Sequence, residues 1–157
     1  MVINLQSQQM KTILSVVTLL ILIACSSGKS KSEIFIVDGK AIRGYDAVAF
    51  HKEQKAVQGN KAFSYDWSGA TWQFASEDHL ALFKANPGKY APQYGGYCAY
   101  GTAEGHKAPT ETETWTVRDG KLYFNYNKEV KDLWMKDQDA YIKKADKLWP
   151  TVKDDEF

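Results

Sequence analysis

Apolar and polar residues alternate in two stretches of the chain. Phe63-Ser64-Tyr65-Asp66-Trp67 runs into Ser68-Gly69-Ala70 and then Thr71-Trp72-Gln73-Phe74. A period of two on either side of a glycine turn predicts a β-hairpin. Trp115-Thr116-Val117-Arg118 and Lys121-Leu122-Tyr123-Phe124 flank Asp119-Gly120 and predict a second. Asp-Gly suits a type I′ turn, in which both central residues take positive φ. Ile34–Val37 before Asp38-Gly39 reads either as a further strand or as a stalk that pairs late. Helical spacing appears elsewhere. Ser76 is placed to cap a helix, with Glu77 and Asp78 in its first turn and Leu80, Phe83 and Leu82 on its apolar face. Asn86-Pro87-Gly88 is expected to stop it. Val130, Leu133 and Trp134 give residues 128–136 an apolar face. Asp137 begins a last helix with Tyr141, Ile142, Ala145 and Leu148 or Trp149 inward, and Pro150 is expected to end it. Strands and helices segregated in this way predict an α+β fold, a small single domain of antiparallel hairpins and short helices with the C-terminal helices on the sheet.

One stretch fits none of these elements. Residues 12–24 are almost wholly apolar and follow Lys11, the only charged residue before Cys25. The run is shorter than the roughly 20 residues of a spanning helix and has the layout of a secretory signal. It ends in Leu22-Ile23-Ala24-Cys25-Ser26-Ser27-Gly28, and Ser26 to Ser32 is small, polar and suited to a flexible tether. The organisation expected is a signal peptide over 1–24, a modified Cys25 and tether over 25–33, one domain over 34–150 and a tail over 151–157. Removal of residues 1–24 leaves 19 Lys and Arg against 19 Asp and Glu, so no net charge favours nucleic acid as a partner. Five Trp, nine Tyr and seven Phe supply bulk for a core. With Cys25 modified, Cys98 has no disulfide partner in the chain. It is either a small buried residue or a ligand or redox group.

Leu22-Ile23-Ala24-Cys25 resembles the lipobox of bacterial lipoproteins. The resemblance implies that the Cys25 sulfur carries diacylglycerol and that the chain is anchored in the cell envelope facing the periplasm. Ser26 after it implies the outer membrane rather than the inner. A second resemblance covers nearly the whole mature chain. Gly44-Tyr45-Asp46, Val48-Ala49-Phe50, Ala91-Pro92-Gln93-Tyr94-Gly95-Gly96-Tyr97-Cys98-Ala99, Trp115 and Val117 with Asp119-Gly120-Lys121-Leu122-Tyr123-Phe124-Asn125, and Ala145-Asp146-Lys147-Leu148-Trp149 are similar to the secreted subgroup of YHS-domain proteins. Metal-linked YHS domains resemble small zinc-ribbon modules with cysteine ligands. This chain departs from them at Ala49 and Ala75, which stand where two of those cysteines would be, and at His79, which replaces the third.

The candidate site residues follow. Cys98 offers a thiol, and His79 or His106 an imidazole, for transient binding of a soft transition metal, copper first, because Cu(I) accepts two or three soft ligands. A structural zinc site is disfavoured, since one free cysteine and three histidines do not make four ligands without carboxylates. His51 reads as surface. Tyr45, Asp46, Tyr94 and Tyr97 are candidates to line a pocket, with Tyr123 beside them; packed aromatics with satisfied hydroxyls are the simpler reading. No Ser-His-Asp set, phosphate loop or HExxH pattern supports catalysis. The rival to metal binding is a metal-free envelope module that holds a protein or small ligand, with Cys98 inert.

Overall fold

The computed structural model describes residues 31–157, and Cys25, the apolar run and most of the tether lie outside them. Three hairpins of one construction build the β structure. Strand β1 (Ile36–Val37) pairs antiparallel with β2 (Lys40–Ala41), β3 (Asn60–Trp67) with β4 (Ala70–Phe74), and β5 (Thr116–Arg118) with β6 (Lys121–Tyr123). Each turn places two residues at positive φ: Asp38 and Gly39, Ser68 and Gly69, Asp119 and Gly120. That is the twist-matched turn that Asp-Gly predicts. Ile36–Val37 is therefore a strand and not a late-pairing stalk. Strand β2 also lies parallel to β4, which gives a mixed sheet in the order β1-β2-β4-β3; β5 and β6 stand apart as a ribbon.

Six α-helices, three of them short, and three 3₁₀ turns make up the helical part of the described residues. The expected helices are α2 (Glu77–Ala85), α5 (Lys128–Met135) and α6 (Gln138–Val152). Each is capped by a side chain that accepts a backbone N–H: Ser76 from His79, Asn127 from Val130, Asp137 from Ala140. The others are α1 (Ala47–Lys52), α3 (Pro87–Tyr90) and α4 (Ala99–Ala103), with 3₁₀ turns at Ile42–Gly44, Gln93–Gly96 and Thr112–Thr114. Asn86-Pro87 does stop α2, but Pro87 opens α3, where its missing N–H costs nothing. Pro150 does not end α6. The helix continues to Val152, which is buried, and Lys153 donates to the Trp149 carbonyl. The tail belongs to the fold as well, because the Phe157 ring meets Phe35 and Tyr97 edge-on.

Two clusters form the core. In the first, Phe83 of α2 lies 4.9 Å from Trp72 and 5.0 Å from Phe74 of the sheet, while Phe50 of α1 meets Phe124 at 5.3 Å. The second is built from Tyr94, Ala99, Ala103, Tyr123, Trp134 and Ala145. Ala99 and Ala103 stand one turn apart on α4 and let α6 approach closely at Ala145. The C-terminal helices thus pack on α4 and on the β5–β6 ribbon, with Tyr123 against Trp134 at 5.4 Å, rather than across the four-stranded sheet. Tyr123 and Phe124, consecutive residues at the end of β6, supply one side chain to each cluster. This alternation holds the two clusters together and fixes the chain beside it, where Ala99 donates to the Phe124 carbonyl at 2.9 Å. Among the described residues no helix is long and apolar enough to cross a membrane.

Candidate functional site

Cys98 sits at the junction of the two clusters. A parallel bridge to Phe124 and a bond from its own N–H to the Ala108 carbonyl, 3.1 Å, fix its backbone. It precedes the first residue of α4 and caps it: the Gly101 N–H donates to Cys98 Sγ at 3.3 Å, and the Tyr126 N–H donates from the other side at 3.3 Å. The thiol faces Asn125 Oδ1 at 3.7 Å, which also accepts from the Tyr100 N–H at 3.2 Å. Asn125 is fully buried and its Nδ2 has no partner among the described residues. Only 1% of Cys98 is exposed. Burial pushes the thiol above its ordinary pKa, against the opposite pull of the N–H groups of Gly101, Tyr126 and Tyr100.

Cys98 nonetheless lines a cavity of about 330 Å³, together with Tyr100, Gly101, His106, Tyr126 and Val130. Gly101 brings the imidazole close. A Cβ at that position would lie 3.4 Å from His106 Nε2 and 3.3 Å from the His106 carbonyl oxygen. The absent side chain leaves room for the ring against the same residue whose N–H touches the sulfur. Cys98, buried, and His106, exposed, therefore line one pocket.

His79 belongs elsewhere. Its Nδ1 lies 2.7 Å from Asp46 Oδ2, and its Nε2 is 3.7 Å from Glu53 Oε1. Asp46 is wholly buried and uses both oxygens: Oδ1 accepts from the N–H of Val48 and Ala49, and Oδ2 from that of Ala75. The pairing of Cys98 with His79 is thus not made, because the Asp46 carboxylate holds the imidazole against α1 and β4. Nor do the four pocket candidates converge. Asp46 is a buried clamp. Tyr45 packs against the first cluster. The Tyr97 ring is buried against Phe35, with its hydroxyl donating to the Ser32 carbonyl at 3.0 Å. Tyr94 borders a cavity separate from that of Cys98. His51 is not plain surface: its Nε2 lies 3.3 Å from the Tyr90 carbonyl, and burial depresses its pKa.

Among the described residues no three His, Cys, Asp or Glu side chains gather in a way that would hold a metal ion. The donor set at the pocket is one thiol and one imidazole, which fits a soft ion of low coordination number and does not fit zinc. Neither Asn125 nor Gly101 was expected at the site. Asn125 closes the motif that opens at Asp119-Gly120, whereas Gly101 lies two residues beyond the one that ends at Ala99. No protein-family model, curated protein or solved structure matches the chain.

Proposed function

We propose that this chain is a lipid-anchored binding protein of the bacterial envelope, of YHS type, whose Cys98 pocket takes up a soft monovalent metal ion, Cu(I), through Cys98 Sγ and His106. The observation that carries this reading is the sharing of one pocket by the thiol and the imidazole, both set against Gly101. Two backbone N–H groups already point at the sulfur. They stabilise negative charge on it once the proton is gone. The thiol and imidazole favour a soft cargo over a hard one. Anchoring at Cys25 and the polar tether would hold the pocket near the membrane for uptake or hand-over.

Competition for Cu(I) against a chromophoric chelator, under reducing conditions and with the chain from Ser26 onward, tests the proposal. One-to-one binding is expected. Cys98→Ala abolishes it, His106→Ala weakens it by at least about tenfold, and His79→Ala leaves it unchanged. Binding releases the thiol proton, so apparent affinity rises with pH, by about tenfold per unit below the elevated thiol pKa. Equal behaviour of wild type and Cys98→Ala would remove the proposal. A second reading has its own support in the elevated thiol pKa and the aromatic rim: a neutral, mainly apolar small ligand in the same pocket, with Cys98 protonated. It requires that ligand binding survive Cys98→Ser and that Cu(I) not compete.

A further inference from the structure

A second cavity, also of about 330 Å³, lies on another face between the β3–β4 turn, the 3₁₀ turn at Gln93–Gly96 and α6. Its walls include the half-buried indoles of Trp67 and Trp149 together with Tyr94, and its charged residues are Glu33 and Asp146. No Lys or Arg lines it. Glu33 is neutralised from outside by Lys153, whose Nζ is 2.8 Å away. Asp146 has no basic partner among the described residues and accepts the Tyr94 hydroxyl at 2.9 Å. Burial, and after it that bond, pushes the Tyr94 hydroxyl far above its ordinary pKa, so Tyr94 stays neutral and donates to Asp146. The Tyr94 and Trp149 rings, both lining this cavity, meet at 64° with centroids 5.8 Å apart.

From this juxtaposition we infer a binding site for a small organic cation with a methylated ammonium head, held by the Trp67, Tyr94 and Trp149 rings and by the Asp146 carboxylate. Aromatic faces attract a diffuse cation that sheds its water easily, and the carboxylate adds charge that no protein side chain cancels. An anion is repelled by Asp146, and a neutral ligand gains no charge attraction from it. The site is independent of the Cys98 pocket, with which it shares no residue.

The test uses the full-length chain in a maltoside detergent, with choline, its neutral tert-butyl isostere, and vesicles of phosphatidylcholine or phosphatidylglycerol as probes. The readout is the indole N–H resonances of Trp67 and Trp149. Choline is expected to shift both in a saturable manner at millimolar concentration, and the neutral isostere to bind about fivefold more weakly or less. Asp146→Asn keeps an acceptor for Tyr94 and removes the charge; it is expected to weaken choline by about fivefold and to leave the isostere unaffected. Shifts with free choline support a soluble cation, and shifts with phosphatidylcholine vesicles alone support the same head on a lipid. Equal affinity for choline and isostere, choline binding indifferent to Asp146→Asn, or no shift with any probe would each overturn the inference.

Discussion

Asp46→Ala will cost the fold about 3 to 5 kcal/mol, a loss read as a lower urea midpoint at unchanged slope. The wholly buried carboxylate is the point at which three elements meet. Oδ1 receives the first-turn N–H groups of α1 from Val48, 2.8 Å, and Ala49, 3.1 Å. Oδ2 receives Ala75 at the end of β4, 2.8 Å, and the His79 ring in the first turn of α2, 2.7 Å. Alanine leaves these donors in a space that water does not reach, and each orphaned buried donor costs about 1 to 3 kcal/mol. Asp46→Asn recovers only part, because its carbonyl can serve Val48 and Ala49 while its NH₂ group then faces another N–H at Ala75. His79→Ala removes one of the four partners and is expected to cost clearly less than Asp46→Ala. The opposite ranking would mean that the imidazole, not the cap, holds the three elements together.

The second large effect falls on Gly95, which has φ +63° between Tyr94 at +54° and Gly96 at +88°. A Cβ there would overlap the Glu33 carbonyl oxygen and sit 2.8 Å from the Glu33 carbonyl carbon. The clash is with backbone and cannot be relieved by turning a side chain. Phe35 N–H also donates to the Gly95 carbonyl at 2.9 Å, so the two strands of chain are locked at this spacing. Gly95→Ala is expected to push residues 32–35 off the domain. Ile34 and Phe35, 5% and 3% exposed, then lose their burial, at about 1.5 to 3 kcal/mol each. The Ser32 carbonyl would lose its bonds from the Tyr97 hydroxyl and Lys107 Nζ. Faster proteolytic cleavage at residues 31–35 and a drop of about 3 kcal/mol or more in unfolding free energy are the expected readouts. Cleavage at the wild-type rate would show that the segment contributes little to the domain.

These two residues also mark what the sequence does and does not disclose. The Asp-Gly and Ser-Gly turns were legible because both their chemistry and the alternation around them are local. So were the caps Ser76 and Asp137, which act within three residues. Helix α1 was not: Ala47, Val48, Ala49 and Phe50 are all buried, so no face is polar and no helical period exists. Its start is set by Asp46, whose other bonds go to Ala75 and His79, about thirty residues away. Helix α4 carries a glycine at its centre and is defined by the Cys98 cap and by packing on α6. Pro150 obeyed its general rule less than its surroundings, because buried Val152 and the ring contacts of Phe157 hold the chain to the domain beyond it. At the candidate site, Cys98 and His106 were identifiable as chemistry, but their meeting was not. It depends on a five-residue helix, a turn, and the one missing side chain at Gly101. His79 was chemically as good a candidate, and only the buried Asp46 removes it.

The account rests on one sulfur and one imidazole sharing a bound ion. X-ray absorption at the copper edge of the Cu(I)-loaded protein measures that directly. The account predicts a low-coordinate Cu(I) spectrum with one sulfur and one imidazole nitrogen in the wild type, the nitrogen lost in His106→Ala and kept in His79→Ala. A spectrum with no sulfur neighbour, or one unchanged by His106→Ala, would contradict it.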